Sequence, residues 1–290
     1  MITIFTPSYN RKDTLPRLYE SLKRQTVKEF QWVVVDDGSN DETGKLIADF
    51  INEGVIDIIY EYQKNSGKMR AVNRGVQLAQ REYFFIVDSD DYITENCIET
   101  IIKEAKELPE RLGGMIFRKI DMVSGKVTGK PYPEYRIDSS PIEIVYKLGI
   151  DGDKAEVFKT DILKNNPFKE FEGEKFIPEA SVWVKIGEKY KMRYIDEGIY
   201  FFEYLEDGYT KNFNSLMKKN PKGFEFYYKE MLKYNIPFVN KIKFIIRLVQ
   251  SKYYKLIGGN KNTSYNNLFR TGRSRETSHR TASSSKKIRT

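Results

Sequence analysis

The sequence predicts an α/β fold in which a mainly parallel sheet is flanked by helices. Over the first hundred residues, short and nearly continuous apolar runs alternate with segments whose apolar residues recur at helical spacing. Strands of this composition are typical of parallel sheets, because helices cover both of their faces. The length of 290 residues and the apolar content of 40% are sufficient for one sizeable core.

The first half of the chain is predicted to contain four strands, each followed by a helix. The strands are Ile2 to Phe5, Phe30 to Val35, Ile56 to Tyr60 and Tyr83 to Val87. We expect Asp13 to cap the first helix, and the capping-box pair Ser39 and Glu42 to open the second. The third helix is predicted to follow residues 65–67, and the fourth lies around residues 98–105.

After the fourth helix, the pattern changes to short strand-like pieces between loops rich in Gly, Pro and Asp. The predicted strands are Met115 to Met122, Ala155 to Phe158 and Met192 to Tyr204. We expect a helix from Pro178, because proline is favoured at the first helical position. Irregular additions of this kind commonly carry substrate specificity. The catalytic domain is predicted to be residues 1–207.

The net charge of +8 is unevenly distributed. Residues 211–290 carry 19 Lys and Arg against three Glu. We expect residues 208–258 to form a basic amphipathic helical extension, and residues 259–290 to be disordered because they contain few apolar side chains. In the extension, one apolar stripe recurs at helical spacing: Phe238, Ile242, Ile245, Val249, Tyr253 and Leu256. Two interpretations of this helix stay open, packing on the catalytic domain and docking on an anionic membrane surface.

The composition also excludes several kinds of site. Cys97 is the only cysteine and His279 the only histidine, so the core has no internal disulfide and a metal held there must use oxygen ligands. Oxygen ligands favour Mg or Mn. The N-terminus lacks a signal-peptide pattern, and no apolar run approaches the roughly 20 residues of a membrane span. We therefore expect a cytoplasmic protein, which can dock peripherally on the inner face of the cell membrane.

Two of the predicted strands end in acidic clusters. Asp36 and Asp37 follow the second strand, and Asp88, Asp90 and Asp91 follow the fourth. The carboxyl ends of parallel strands share one edge of a sheet, where open α/β folds bind their ligands. Carboxylates so close together repel one another unless a cation lies among them. The sequence therefore predicts a divalent-metal site facing a substrate pocket, although Asp91 can instead cap the next helix and Asp36 can serve only the turn.

Four motifs, in this order and at these separations, resemble those of glycosyltransferase family 2, the inverting enzymes with the GT-A (Rossmann-like) fold. The motifs are TPSYNR (Thr6 to Arg11), VVVDDGSND (Val33 to Asp41), NSGKMRAVNRG (Asn65 to Gly75) and YFFIVDSDD (Tyr83 to Asp91). The resemblance covers about residues 1 to 205. It implies transfer of a sugar from a nucleotide diphosphate sugar, most often a UDP-sugar, to a hydroxyl of a glycan or lipid-linked acceptor in cell-surface polysaccharide synthesis.

The resemblance also implies roles for single residues. Asp37 would accept a hydrogen bond from the uracil ring nitrogen, and Lys68 and Arg70 would bind the ribose or the diphosphate, although either can be a solvated cation instead. Asp88 would face the ribose and the metal, and Asp90 would bind the metal. The nucleotide base pocket would be lined by Pro7, Ser8 and Tyr9.

Catalysis in such a family needs a metal and a base. A divalent ion that bridges the diphosphate oxygens neutralises charge as the sugar bond breaks. Glu179 resembles the family base, a group that typically contributes a factor of about 10² to 10⁴ in rate; it can equally be a helix-terminal acid that complements the macrodipole. Many family members carry Glu-Asp where this chain has Glu179-Ala180, so Glu174 and Glu172 are alternative candidates.

Three other functions remain open at this stage. The aspartates can belong to a phosphoryl-transfer enzyme, although Tyr92 stands where such phosphatases carry Thr or Val. The chain can be a catalytically inactive subunit that binds a nucleotide sugar or a partner protein. Specific nucleic-acid binding ranks last, because no recognisable module accompanies the basic residues. The Gln-x-x-Arg-Trp motif of processive synthases is absent from the sequence, which favours addition of a single sugar.

Overall fold

The computed structural model describes residues 1–203 and 212–257. They belong to one compact unit, Met1–Gly259. The predicted domain boundary at residue 207 and the predicted tail, residues 259–290, lie outside the described residues. Within the described ranges the predicted α/β architecture is confirmed, with elements that end within a few residues of their predicted positions.

In the two described ranges, a nine-stranded mixed sheet forms the centre of the fold. The strands are β1 Ile2–Ser8, β2 Phe30–Asp36, β3 Ile58–Tyr62, β4 Tyr83–Ile86, β5 Tyr92–Ile93, β6 Gly114–Asp121, β7 Arg136–Ser139, β8 Lys154–Lys159 and β9 Met192–Phe202. Their order is β3-β2-β1-β4-β8-β6-β9-β5, with β7 paired to β9. Strands β1 to β4 are parallel to one another, and β8 pairs with β4 in the antiparallel direction. Because β2 and β4 lie on opposite sides of β1, the strand order reverses there, which is where such sheets form a ligand crevice.

Helices cover both faces of the sheet. They are α1 Leu15–Lys23, α2 Thr43–Glu53, α3 Lys68–Leu78, α4 Cys97–Lys106, α5 Thr160–Lys164, α6 Ala180–Lys189, α7 Phe213–Lys219, α8 Pro221–Met231 and α9 Phe238–Leu256, with one π-helical turn at Glu143–Lys147. Helices α1, α2 and α4 bury their apolar stripes in one core. Helices α3, α5 and α6 bury theirs in a second core on the other face.

The predicted helix caps are wrong. Helix α2 begins after Glu42, which has a left-handed backbone (φ 66°) and makes no side-chain cap. The Ser39 hydroxyl instead accepts from the amide of Asn10, at 2.8 Å. Helix α1 begins after Thr14, one residue beyond the predicted cap Asp13.

Two glycines bring α3 to the position that the site requires. A Cβ on Gly75 would lie 2.1 Å from the ring of Phe5, so only glycine lets α3 pack this closely on β1. Gly67, immediately before α3, has φ +101°, and a Cβ there would lie 2.0 Å from the carbonyl oxygen of Lys175. The absence of a side chain at Gly67 thus lets the start of α3 pack against the backbone of the segment that precedes α6.

The C-terminal helices pack on the rest of the unit. The carboxylate of Glu174 accepts from the amides of Lys222 and Gly223, both at 2.8 Å, and so caps the start of α8. Helix α9 packs through Phe244 and Leu248 against the core of α7 and α8, which are themselves part of the predicted extension, so its packing on the catalytic domain stays a prediction. No helix in the two described ranges is long and apolar enough to cross a membrane.

Candidate active site

A cleft of about 1460 Å³ opens at the carboxyl ends of β1, β2 and β4. Ser8 ends β1, Asp37 follows β2 and Asp88 follows β4, and all three line this cleft. Glu179 approaches it from the start of α6. The parallel strands therefore bring the two acidic clusters to one cavity, as the sequence predicted.

Lys68, the first residue of α3, lies between two of the predicted site residues. Its ammonium is 2.7 Å from the Asp88 carboxylate and 3.1 Å from the Glu179 carboxylate. Burial by itself would lower the pKa of Lys68, but the two carboxylates outweigh burial and raise that pKa well above its ordinary value. Burial would likewise raise the pKa of Asp88, yet the nearby cations, Lys68 first, lower it. An ion-paired triad of Asp88, Lys68 and Glu179 therefore lines the cleft.

Asp90 and Asp91 follow Asp88 but face different surroundings. Asp90 lies 3.8 Å from the guanidinium of Arg11, and burial and repulsion from Asp88 raise its pKa. The Asp91 carboxylate accepts from the hydroxyl of Tyr200 at 2.6 Å, and that hydroxyl accepts from the amide of Asp88 at 2.9 Å. Burial, reinforced by repulsion from Asp88, raises the pKa of Asp91 to about 7. Tyr200 on β9 thus fixes the turn that carries all three aspartates.

The predicted ligand set of three aspartates does not form. Among the described residues, no three His, Cys, Asp or Glu side chains are grouped closely enough to hold a metal ion by themselves. Asp91 is engaged with Tyr200, so we do not retain it as a ligand. Mg²⁺ beside a diphosphate commonly uses one or two carboxylates and completes its shell with phosphate oxygens and water. Asp88 and Asp90, two neighbouring carboxylates that both line the cleft, fit that requirement.

The second acidic cluster consists of two residues with separate roles. Asp36 accepts from the Ser39 amide at 2.8 Å and from the Tyr60 hydroxyl at 2.9 Å, so it holds the end of β2. Asp37 accepts from Gln63, from the amide of Ser66 and from the amide of Gly67, each at 2.7 Å. A carboxylate has about four acceptor positions, which leaves one on the oxygen that Gly67 contacts.

The predicted base pocket lies at the end of β1. Pro7, Ser8 and Tyr9 all line the cleft. The Ser8 hydroxyl oxygen is buried and has no hydrogen-bond partner within the described part of the chain. Tyr9 is 46% exposed, so its ring is accessible from solvent. An unpaired buried hydroxyl is costly and is available to a bound ligand.

Two candidates from the sequence are used elsewhere. The guanidinium of Arg70 donates to Glu170 and to the carbonyl oxygens of Ser66, Phe171 and Glu174, at 2.7 to 3.0 Å. Arg70 does not line the cleft, and it holds the segment before α6 in place, so the predicted contact with the diphosphate has no geometric support. Glu174 is committed to capping α8. Glu172 is exposed and also lies outside the cleft lining.

Several charged residues that line the cleft were not predicted from the sequence, among them Lys119 on β6 and Glu156 on β8. The Lys119 ammonium lies 4.0 Å from the ring centroid of Tyr200. The pKa of Glu156 is raised to about 8, because burial raises it and the nearby Lys119 only partly opposes the change. The sequence did contain a signal for Glu156. Side chains alternate between the two faces of a strand, so Lys154, Glu156 and Phe158 of β8 lie on the same face.

The amino-acid sequence is similar to those of known glycosyltransferases. The sequence model described as Glycosyl transferase family 2 matches residues 3–150 of the chain. Glycosyltransferase GlyG of Streptococcus pneumoniae serotype 4 is 33% identical over 107 residues, which are 37% of this chain and 36% of GlyG. Poly(ribitol-phosphate) beta-N-acetylglucosaminyltransferase TarS of Staphylococcus aureus is 26% identical over 171 residues, 57% of this chain and 28% of TarS. The matched region is therefore about a third of these relatives' length or less.

Solved structures share the fold. The structure of S. aureus TarS residues 1–349 in complex with UDP-GlcNAc superimposes with a TM-score of 0.62 at 19% identity, covering 87% of this chain and 72% of the other. A mannosyltransferase of Pyrobaculum calidifontis, in complex with GDP-Man and Mn²⁺, gives a TM-score of 0.57 at 15% identity, covering 90% and 76%. At these identities, the similarity establishes the GT-A fold.

Proposed function

Because the chain belongs to glycosyltransferase family 2, we propose that it transfers one sugar from a UDP-sugar to a hydroxyl of a glycan or lipid-linked acceptor, with inversion at the sugar carbon. The acceptor belongs to cell-surface polysaccharide synthesis. The observation that carries the proposal is the single cleft shared by Asp37, Asp88, Asp90 and Glu179. The UDP-GlcNAc complex of TarS, which has the same fold, supports a uridine nucleotide.

In this proposal the nucleotide base binds at the end of β1. The free acceptor position of Asp37 takes the ring N–H of uracil, and the unpaired hydroxyl of Ser8 gains a partner. Pro7 and Tyr9 supply the apolar walls. Binding would therefore satisfy a buried polar group rather than create a new unsatisfied one.

The diphosphate lies beside Asp88, Asp90 and Lys68. Asp88 and Asp90 would hold Mg²⁺ or Mn²⁺, which fits the Mn²⁺ in the mannosyltransferase structure. When bound, the ion supplies Lewis-acid stabilisation of the departing nucleotide diphosphate. Lys68 keeps Asp88 ionised and in place, and its ammonium is a natural partner for a phosphate oxygen.

Glu179 is the proposed base. It faces the cleft from the start of α6, and the fallback candidates Glu172 and Glu174 do not line the cleft. The Lys68 ammonium, 3.1 Å away, holds the Glu179 carboxylate in this position. Glu179 takes the proton of the acceptor hydroxyl while the hydroxyl oxygen attacks the sugar carbon, on the side opposite the leaving nucleotide diphosphate.

The test is a donor screen. The purified chain is incubated with UDP-sugars and GDP-sugars, with Mn²⁺, Mg²⁺ or a chelator, and free nucleotide diphosphate is measured with and without glycan acceptors. We expect metal-dependent release that increases when the correct acceptor is added. Glu179→Gln should lower kcat by a factor of about 10² to 10⁴ and leave binding of UDP nearly unchanged, whereas the exposed control Glu172→Gln should change neither.

The same screen separates the alternatives. Release of inorganic phosphate in place of nucleotide diphosphate would identify a phosphoryl-transfer enzyme, and tight UDP binding without turnover of any donor would identify an inactive binding subunit. Either outcome overturns the proposal. An Asp90→Asn variant with the parental rate and metal requirement would show that Asp90 is not a ligand.

A further inference from the structure

The outward face of α9 is apolar, and no described residue covers it. Of the fifteen large apolar side chains that are exposed in the described part of the chain, eight belong to this helix. They are between 43% and 85% exposed: Phe238, Val239, Ile242, Ile245, Ile246, Val249, Tyr253 and Leu256. Isolated exposed apolar residues are normal, but a contiguous group of this size marks an interaction surface.

Helix geometry makes this group one continuous surface. At 100° per residue, the eight side chains fall within an arc of about 120°. Phe244, Leu248 and Ser251 lie on the opposite side of the helix, where the first two pack on the α7–α8 core and the third is fully buried. The packing of α9 therefore uses one face and leaves the other apolar face to solvent. We call this outward arc the α9 face.

Cations border the α9 face. By the same geometry, Lys241 and Lys252 lie along one edge and Lys243 along the other. None of these three has an ion pair with any described residue, whereas Lys255, farther round, pairs with Glu225 at 3.0 Å. Helix α9 contains no Asp or Glu. An apolar arc between basic edges is the pattern of a helix that lies in a membrane interface.

We propose that the α9 face docks on an anionic lipid bilayer. Its apolar side chains enter the boundary between headgroups and acyl chains, and the three lysines reach the lipid phosphates with their flexible side chains. Charge disfavours other occupants. A second copy of α9 would bring two sets of lysines together without an acid on either helix. Residues 258–290 carry eight Lys and Arg against one Glu, so the basic edges of α9 would repel that segment as well.

Docking would bring the cleft close to the membrane. Helix α9 packs on α8, and Tyr227 and Met231 of α8 line the cleft. A bilayer under α9 is therefore one helix away from the cavity that holds Asp88 and Glu179. The inference itself does not depend on transferase activity, because vesicle binding is measured without any substrate.

The test is cosedimentation of the full chain with vesicles. We expect binding to vesicles of phosphatidylglycerol and phosphatidylcholine in equal amounts, and much weaker binding to phosphatidylcholine alone. Ile242→Glu/Val249→Glu should lower partitioning by about a hundredfold, because two apolar contacts are lost. The matched control Val55→Glu/Val123→Glu makes the same chemical change at exposed positions outside α9 and should keep binding within about twofold.

A second pair of variants tests the basic edges. Lys243→Gln/Lys252→Gln should lower partitioning by about fivefold per lysine, whereas Lys45→Gln/Lys103→Gln, with equal net charge, should not. The proposal fails if the parent does not sediment with anionic vesicles, or if the Ile242→Glu/Val249→Glu variant sediments as the parent does, since residues 258–290 would then carry the binding. If the parent binds no vesicles and light scattering shows a dimer that is lost in Ile242→Glu/Val249→Glu, the α9 face is an interface between two copies and the proposal also fails.

Discussion

Replacing Lys68 with methionine is expected to destabilise the chain and to weaken binding of a nucleotide diphosphate. Methionine keeps the length and the apolar part of the side chain but removes the ammonium between Asp88 and Glu179. The two carboxylates would then face each other without their cation, at a site where the lysine side chain is only 19% exposed. Removing one partner of a buried ion pair leaves an uncompensated charge.

The size of the effect follows from the distances. At an effective dielectric constant of about 20, charges separated by 2.7 and 3.1 Å attract by about 6 and 5 kcal/mol before desolvation is counted. Desolvation of the ammonium offsets much of this attraction, and loss of one partner of a buried pair typically costs about 3 to 5 kcal/mol. The Asp88 and Glu179 side chains remain 30% and 37% exposed, so water takes up part of the loss. We expect about 2 kcal/mol.

A double-mutant cycle measures this number. Urea unfolding gives the free energy of unfolding for Lys68→Met, Asp88→Asn and the double variant, and isothermal titration gives the affinity of each for UDP. Asp88→Asn should restore part of the stability lost in Lys68→Met, with a coupling of about 2 kcal/mol, but should not restore UDP binding. Lys147→Met is the control, because the Lys147 side chain is 65% exposed in its pair with Glu143 and such a pair is worth less than about 1 kcal/mol. A Lys68→Met variant as stable as Lys147→Met, or a coupling energy of zero, would refute the claim that Lys68 compensates the charges of Asp88 and Glu179.

Three further predictions concern residues around the cleft. The pKa of Glu156 is raised from 4.5 to about 8, mainly by burial. The folded state therefore keeps a proton that the unfolded chain loses, and the free energy of unfolding falls as pH rises from 4.5 to 8, by at most about 1.4 kcal/mol per pH unit. Glu156→Gln should remove this fall, and urea-unfolding profiles that change with pH in the same way for parent and variant would contradict the prediction. Glu174→Ala should cost about 1 to 2 kcal/mol of unfolding free energy through the lost α8 cap without changing kcat, and a kcat effect equal to that of Glu179→Gln would contradict the cap. Gly67→Ala should have a melting temperature well below that of Gly125→Ala, because both positions have positive φ but a Cβ only at Gly67 meets a neighbouring backbone. Equal melting temperatures of the two variants would contradict this, since the backbone at Lys175 would then move aside without cost.

The positions of the acidic clusters were predictable because they depend on topology. Apolar runs predict parallel strands, parallel strands place their carboxyl ends at one edge, and so Asp37 and Asp88 had to lie near each other. Their individual partners were not predictable in this way. Asp91 is bound by Tyr200, which is 109 residues later in the chain, and no local pattern at either position indicates the pairing.

The same limit explains the errors at Arg70 and Glu174. Both belong to segments that look functional by motif or position, yet Arg70 holds the 170–174 segment and Glu174 caps α8. A charged side chain acts on whatever the folded chain places within hydrogen-bond distance, and the sequence does not contain that distance. Lys119 and Glu156 were missed because each stands among other charges of its strand, Arg118 and Asp121 on β6 and Lys154 and Lys159 on β8, and no motif distinguishes it.

The sequence alone determined the α/β architecture, the family and the two acidic strand ends, because periodicity and short motifs are local properties that neighbouring residues fix together. It also showed that α9 has an apolar stripe. Only the tertiary structure decided which apolar residues of α9 remain exposed, and that Lys68 bridges Asp88 and Glu179. Both are contacts between segments distant along the chain, and such contacts exist only after packing has brought the segments together.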